Sequence, residues 1–201
     1  MKKLINMSQK LDTLFKILQR ITAIGTLVAI LVVLVLTVVN AINPDAVIGE
    51  NLNVDIGPIT VELAQELAPD NRAILTYTWG MIVVGAVFAA GIYYALSLVR
   101  KILQPMMEGK PFDSMVGQNI RKIGFVTLVL GIIQNVAVLI ETIGAVKTFQ
   151  LIDLNADAVV RSVTVNYSLD LTFLIVFFVL LLMSHIFNYG TELQQLSDET
   201  L

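Results

Sequence analysis

Hydrophobic and polar positions along this chain fall into long apolar blocks separated by charged connections. Residues 21–40, ITAIGTLVAILVVLVLTVVN, carry no charge, and the first ionisable group after Arg20 is Asp45. At about 1.5 Å per residue such a helix crosses a hydrocarbon core of about 30 Å. Three further blocks lie between charges: Arg72 and Arg100 bracket the second, Lys122 and Glu141 the third, Asp170 and Glu192 the fourth. Before the first block, Leu4, Met7, Leu11, Leu14 or Phe15, Leu18 and Ile21 repeat at three-and-four spacing with lysines between, which predicts an amphipathic helix.

The pattern predicts an all-α polytopic membrane protein, a four-transmembrane-helix bundle with an N-terminal amphipathic helix. It reads as a single membrane domain over 1–201: an amphipathic cytoplasmic helix at 1–20, spans at 21–41, 73–99, 123–145 and 171–190, and outer loops at 42–72 and 146–170. A cytoplasmic connection at 100–122 and a tail at 191–201 complete it. In the first outer loop, Leu52, Val54 and Ile56 alternate with polar residues, Gly57-Pro58 interrupts, and Ile59, Val61 and Leu63 alternate again, the signature of a β-hairpin. In the second, Val163, Val165, Tyr167 and Leu169 alternate in the same way. An isolated hairpin is marginal in water, so these segments are expected to pair into a small extracellular β-sheet cap.

Composition agrees with the blocks, since 56% of the 201 residues are hydrophobic and only 14% charged, against about 25% in soluble domains. With no cysteine there is no disulfide framework, thiolate nucleophile or thiolate metal site. Charge sets the orientation. Ten of the thirteen basic residues, Lys2, Lys3, Lys10, Lys16, Arg20, Arg100, Lys101, Lys110, Arg121 and Lys122, fall in the arm and the second connection. The positive-inside rule then puts both termini in the cytoplasm.

Polar residues inside the spans are the candidates for chemistry, because an unpaired polar group in lipid costs free energy. They are Gln134 and Asn135, placed near the midplane by counting from Lys122; Glu141 further out; and His185, Tyr93 and Tyr94, placed about 10 Å inside the cytoplasmic boundary. Interhelical hydrogen bonding is the bland reading of Gln134 and Asn135, an interfacial, water-reached carboxylate that of Glu141, and a neutral structural donor or acceptor that of His185, with Tyr93 or Tyr94 its expected partner. A proton relay at Glu141 and a pH switch at His185 are the sharper ones. No HExxH, GxSxG or P-loop occurs, and one histidine cannot build a multi-histidine zinc site. No catalytic residue, metal or cofactor is therefore expected, and no enzyme. In the second span Gly85/Ala89, Ala86/Ala90 and Gly91/Ala95 suit close helix packing.

In the second connection, Gly109 and Pro111 mark a turn, and Asp113 or Ser114 is an N-cap for the third helix. The turn EGKPF, the NIRKIG that follows it and the ending HIFNYGTELQQLSDETL resemble a family of bacterial four-span membrane proteins, the domain-of-unknown-function 2975 family. Gly109, Pro111, Phe112, Arg121, Gly124, Phe187, Gly190, Leu193, Gln194 and Asp198 carry the likeness. The family has no established activity. Its members are often encoded beside a small helix-turn-helix regulator, so the resemblance implies a bacterial cell membrane and a cytoplasmic regulator protein as partner. Gly109, Lys110, Pro111, Phe112, Arg121, Gly190, Leu193 and Gln194 are then the contact candidates. The chain itself offers no basic recognition helix, so no direct nucleic-acid binding is expected. A signalling or regulatory membrane protein is the leading expectation, with the lipid bilayer as its surroundings and homo-oligomerisation open. A small transporter or export/immunity protein, or a structural subunit of a membrane complex, is the alternative.

Overall fold

The computed structural model describes residues 2–43, 53–56, 59–62, 71–148 and 169–199. Four helices account for nearly all of them: α1 (Lys2–Ile42), α2 (Asn71–Met107), α3 (Ser114–Thr148) and α4 (Thr172–Glu199). All four contain a stretch long and apolar enough to cross a membrane. The arm and the first span are one unbroken helix of 41 residues, about 61 Å long.

β1 (Asn53–Ile56) and β2 (Ile59–Glu62) pair antiparallel, with Val54 opposite Val61 and Ile56 opposite Ile59. The expected β-sheet cap is not supported. Among the described residues these strands pair only with each other, and the third strand, apart from Leu169, lies outside the described residues. Leu169 itself is in neither strand nor helix. Two four-residue strands joined across Gly57-Pro58 form too small a unit to stand as a sheet over a bundle.

The chain forms two compact units, 1–26 with 86–135 and 169–201, and 27–85 with 136–168. In the first, α3 and α4 run antiparallel and meet at glycines. A Cβ on Gly131 would run into the Phe173 ring, one on Gly124 would touch Leu180 and Phe177, and one on Gly117 would strike the Asn188 side chain. Phe125 packs on Phe177, ring centroids 5.4 Å apart. Small residues let backbones approach, and close approach is what holds helices together where apolar burial is worth little. Gly91 does the same for α2 against Leu130 of α3.

In the second unit, the Trp79 indole donates to Thr37 Oγ1 (3.0 Å), and the Tyr77 ring lies against Gly144. Val33 and Leu75 are its buried apolar side chains among the described residues.

Candidate functional site

The inward face of the arm carries Ser8, Asp12 and Gln19 with Leu11 and Phe15 half-buried beside them, while Lys10, Lys16 and most of its apolar residues are exposed. Ser8 and Gln19 are buried, while Met7, Leu14, Ile17, Leu18 and Ile21 are exposed. Asp12, one turn after Ser8, lies on the inward face and meets Arg100 of α2, whose Nε donates to Asp12 Oδ1 at 2.7 Å. A second guanidinium nitrogen donates to Gln19 Oε1 (3.1 Å), and Gln19 Nε2 donates to the Tyr93 carbonyl (3.2 Å). One cationic fork thus ties α1 to α2 through two residues seven apart, two turns on one helix face. Sequence reasoning missed this cluster. Its signal was present in the spacing of Ser8, Asp12 and Gln19, which share a face opposite the apolar one.

Asn135 is tied to the backbone that leads into α4. Its Nδ2 donates to the Asp170 carbonyl (2.9 Å) and to Gly131 O (2.9 Å), and its Oδ1 accepts from the Asp170 amide (3.0 Å). The side-chain amide therefore pairs with backbone as a strand neighbour would, and fixes the chain where it turns into α4. Asp170 Oδ1 in turn accepts from the Thr172 amide (2.8 Å). Hydrogen bonding from the Thr172 side chain, and then from its amide, favours the carboxylate and holds the Asp170 pKa below its ordinary value.

The other membrane candidates are not brought together. Gln134, Glu141, Tyr93 and Tyr94 all have exposed side chains. His185 is exposed as well, and no hydrogen bond to Tyr93 or Tyr94 forms. The depth expected of His185 was counted from Glu192 on its own helix, and the contact of α4 with α3 supplies a second reference. The neighbouring Ser184 donates to the Gly117 carbonyl (2.8 Å), which puts His185 level with Gly117. That is about 6 Å from Arg121 along α3, toward its N-terminus.

The second connection is built as a packed corner. Gly109 takes φ 79°, open to glycine and strained for most other residues, and Lys110 N closes on Pro105 O (2.8 Å) to end α2. Asp113 Oδ1 accepts from the Met115 amide (2.8 Å), so Asp113 is the N-cap of α3. Between them Phe112 lays its ring over Gly190 of α4, where an added Cβ would come within 2.7 Å, and faces Phe187 with centroids 6.0 Å apart. The structure thus joins Phe112 and Gly190 of the contact candidates, with Leu193 and Gln194 one helical turn from Gly190. Lys110, Arg121, Leu193 and Gln194 have exposed side chains.

Among the described residues no group of three His, Asp or Glu could hold a metal ion. Four helices long and apolar enough to cross a membrane fit a membrane protein of the four-helix type. No family model, characterised protein or solved structure matches the chain.

Proposed function

We propose that this is a signalling or regulatory protein of the bacterial cytoplasmic membrane, with both termini cytoplasmic, whose α2–α3 corner and α4 tail bind a cytoplasmic regulator. The observation that carries the reading is that ordered, partly apolar surface lies beyond the basic limit of the spans. Phe112 is 44% exposed although it anchors the corner, and Leu193 is 49% exposed on the helix beside it. Lipid covers apolar groups within the span, but those past the basic belt face water or a partner. The resemblance to the four-span family adds the expectation that the partner is a helix-turn-helix regulator. A transporter would need polar groups converging on a path, whereas Gln134 and Glu141 are exposed on α3 and the Asp12–Gln19–Arg100 cluster satisfies itself.

Photo-crosslinking residues placed in cells at Lys110, Phe112 and Gln194, with Ile24 as the lipid-side control, test the reading. One soluble protein captured at the first three and not at Ile24 supports it. Recovery of only chaperones and translocation machinery counts against it. Reporter fusions near Gly109 that behave as external would sink the orientation.

A further inference from the structure

On α4, Leu182, Ile186, Tyr189, Leu193 and Leu196 follow one another at alternating four-and-three spacing, and all are at least 49% exposed. They form one apolar stripe on the face opposite the α3 contact, which Ser184, Phe177 and Phe173 make. The register of α4 on α3 divides that stripe. Gly117 is level with Ser184 and Gly124 with Leu180. Arg121 therefore stands level with about residues 180–183, and Leu193 lies about 15 Å or more beyond it. A headgroup layer adds only about 5–7 Å past the hydrocarbon.

The inner part of the stripe is thus placed for lipid and the outer part, from Tyr189 on, is not. α3 begins at Ser114, about three residues past Gly117, so it cannot flank α4 beyond the first turn after His185. Thr191 is the last buried residue of α4 among those described, and 192–197 are exposed. The end of the chain is acidic: from Ile186 to Leu201 the sequence carries Glu192, Asp198 and Glu199 and no Lys or Arg. Glu192 and Glu199 have exposed side chains and lie one turn from Tyr189 or Leu196.

We propose that the projecting end of α4 is a docking site for a cationic amphipathic helix, its apolar side on Tyr189, Leu193 and Leu196 and its Lys or Arg residues beside Glu192 and Glu199. Apolar anchors at three-and-four spacing are how one helix reads another, and the flanking charge selects the sign of the partner. A second copy of this tail is disfavoured, because side-by-side tails would set acid against acid with no basic residue to relieve it. The proposal rests on the regulatory reading above and specifies the chemistry of its partner.

The test uses the full chain in phosphatidylcholine nanodiscs, with empty nanodiscs as reference. Two labelled synthetic helices of about five turns serve as probes, both with the same leucine stripe, one otherwise lysine and one otherwise glutamate. The lysine peptide should bind above the reference and the glutamate peptide should not. Leu193→Gln should weaken the lysine peptide about tenfold, and Glu192→Gln with Glu199→Gln about threefold, with the loss growing at low salt. Glu192→Lys with Glu199→Lys should reverse the preference. Exposed positions keep the fold intact, which circular dichroism checks.

Equal binding to empty nanodiscs, or affinities indifferent to these substitutions, would overturn the proposal. So would near-complete disulfide dimer from Leu193→Cys, in a chain with no native cysteine, without peptide binding. If the crosslinker at Phe112 still traps one soluble protein in cells, such a failure removes the charge-selected tail and leaves the regulatory reading. If it traps none, both fall.

Discussion

Removing the Arg100–Asp12 pair should loosen α1 from α2, and the size of the effect can be bounded from its geometry. The atoms are 2.7 Å apart, and the side chains are 30% and 22% exposed. Two unit charges about 4 Å apart at an effective dielectric near 20 attract by about 4 kcal/mol, which is a ceiling because desolvation offsets much of it. Fully exposed pairs couple by only about 0.2–1 kcal/mol, and hydrogen bonds to charged groups contribute about 1.5–3. A pair between these limits should couple by about 1.5 kcal/mol, roughly a tenfold change in the unfolding equilibrium.

The assay is a double-mutant cycle of Asp12→Ala, Arg100→Ala and both, read by steric trapping or detergent titration of the full chain in bicelles. Arg100→Ala should cost more than Asp12→Ala, since it also removes the donor to Gln19 Oε1 while Gln19 Nε2 keeps the Tyr93 carbonyl. Raising salt should reduce the coupling only in part, because partly buried charges are screened less than exposed ones. A coupling below about 0.3 kcal/mol, the scatter expected of independent sites, would refute the account.

Four further outcomes test other joints of the structure. Gly117→Ala should destabilise by about 1–3 kcal/mol, because its Cβ would strike Asn188 and sit 3.2 Å from the Ser184 carbonyl oxygen. Gly80→Ala, with nothing within 4 Å, should instead be neutral or stabilise by up to about 1 kcal/mol, and equal effects would mean the α3–α4 approach is misplaced. Asn135→Leu should speed hydrogen exchange of the Asp170 amide, about fivefold for the loss of roughly 1 kcal/mol, and unchanged exchange would deny the clamp. The Asp170 carboxylate has a depressed folded pKa, so its stabilisation is present above the ordinary carboxylate value and is lost as pH falls through the lower, folded one. Asp170→Ala should flatten that acid limb of the unfolding curve, and an unchanged limb would assign it to other groups. His185→Leu should leave stability within about 0.5 kcal/mol, and a loss above about 1 would show a partner at that position.

The four helices were legible because an apolar block of span length has few other uses. The corner was legible for a different reason: Gly109, Pro111 and Asp113 act through their own backbone, so their roles depend on local geometry alone. Phe112 and Gly190 could be named but not paired, since nothing within either segment says that a ring 78 positions earlier needs a glycine to lie on. Asn135 carried a midplane expectation because depth was counted along α3. Its partner is the backbone just before α4, and that helix starts level with Asn135 rather than with the charged end of α3.

His185 shows the same limit from the other side. Counting inward from Glu192 assumes that a helix leaves the apolar layer where its own first charge appears, yet α4 stays uncharged past the level at which Arg121 and Lys122 mark the limit on α3. Charge gaps measure the longest stretch that could be buried, and antiparallel register decides how much of it is. The arm inverts the usual inference again. Three-and-four apolar spacing says that one face differs from the other, but not which face meets protein. In water the apolar face would turn to the bundle. Here Ser8, Asp12 and Gln19 take that side together with half-buried Leu11 and Phe15, and Met7, Leu14, Ile17 and Ile21 point away. Leaving Asp12 and Arg100 unpaired would cost more than turning those aliphatic groups out. The inward face of the arm is therefore set by its ties to Arg100 and to the Tyr93 carbonyl, which apolar spacing alone does not reveal.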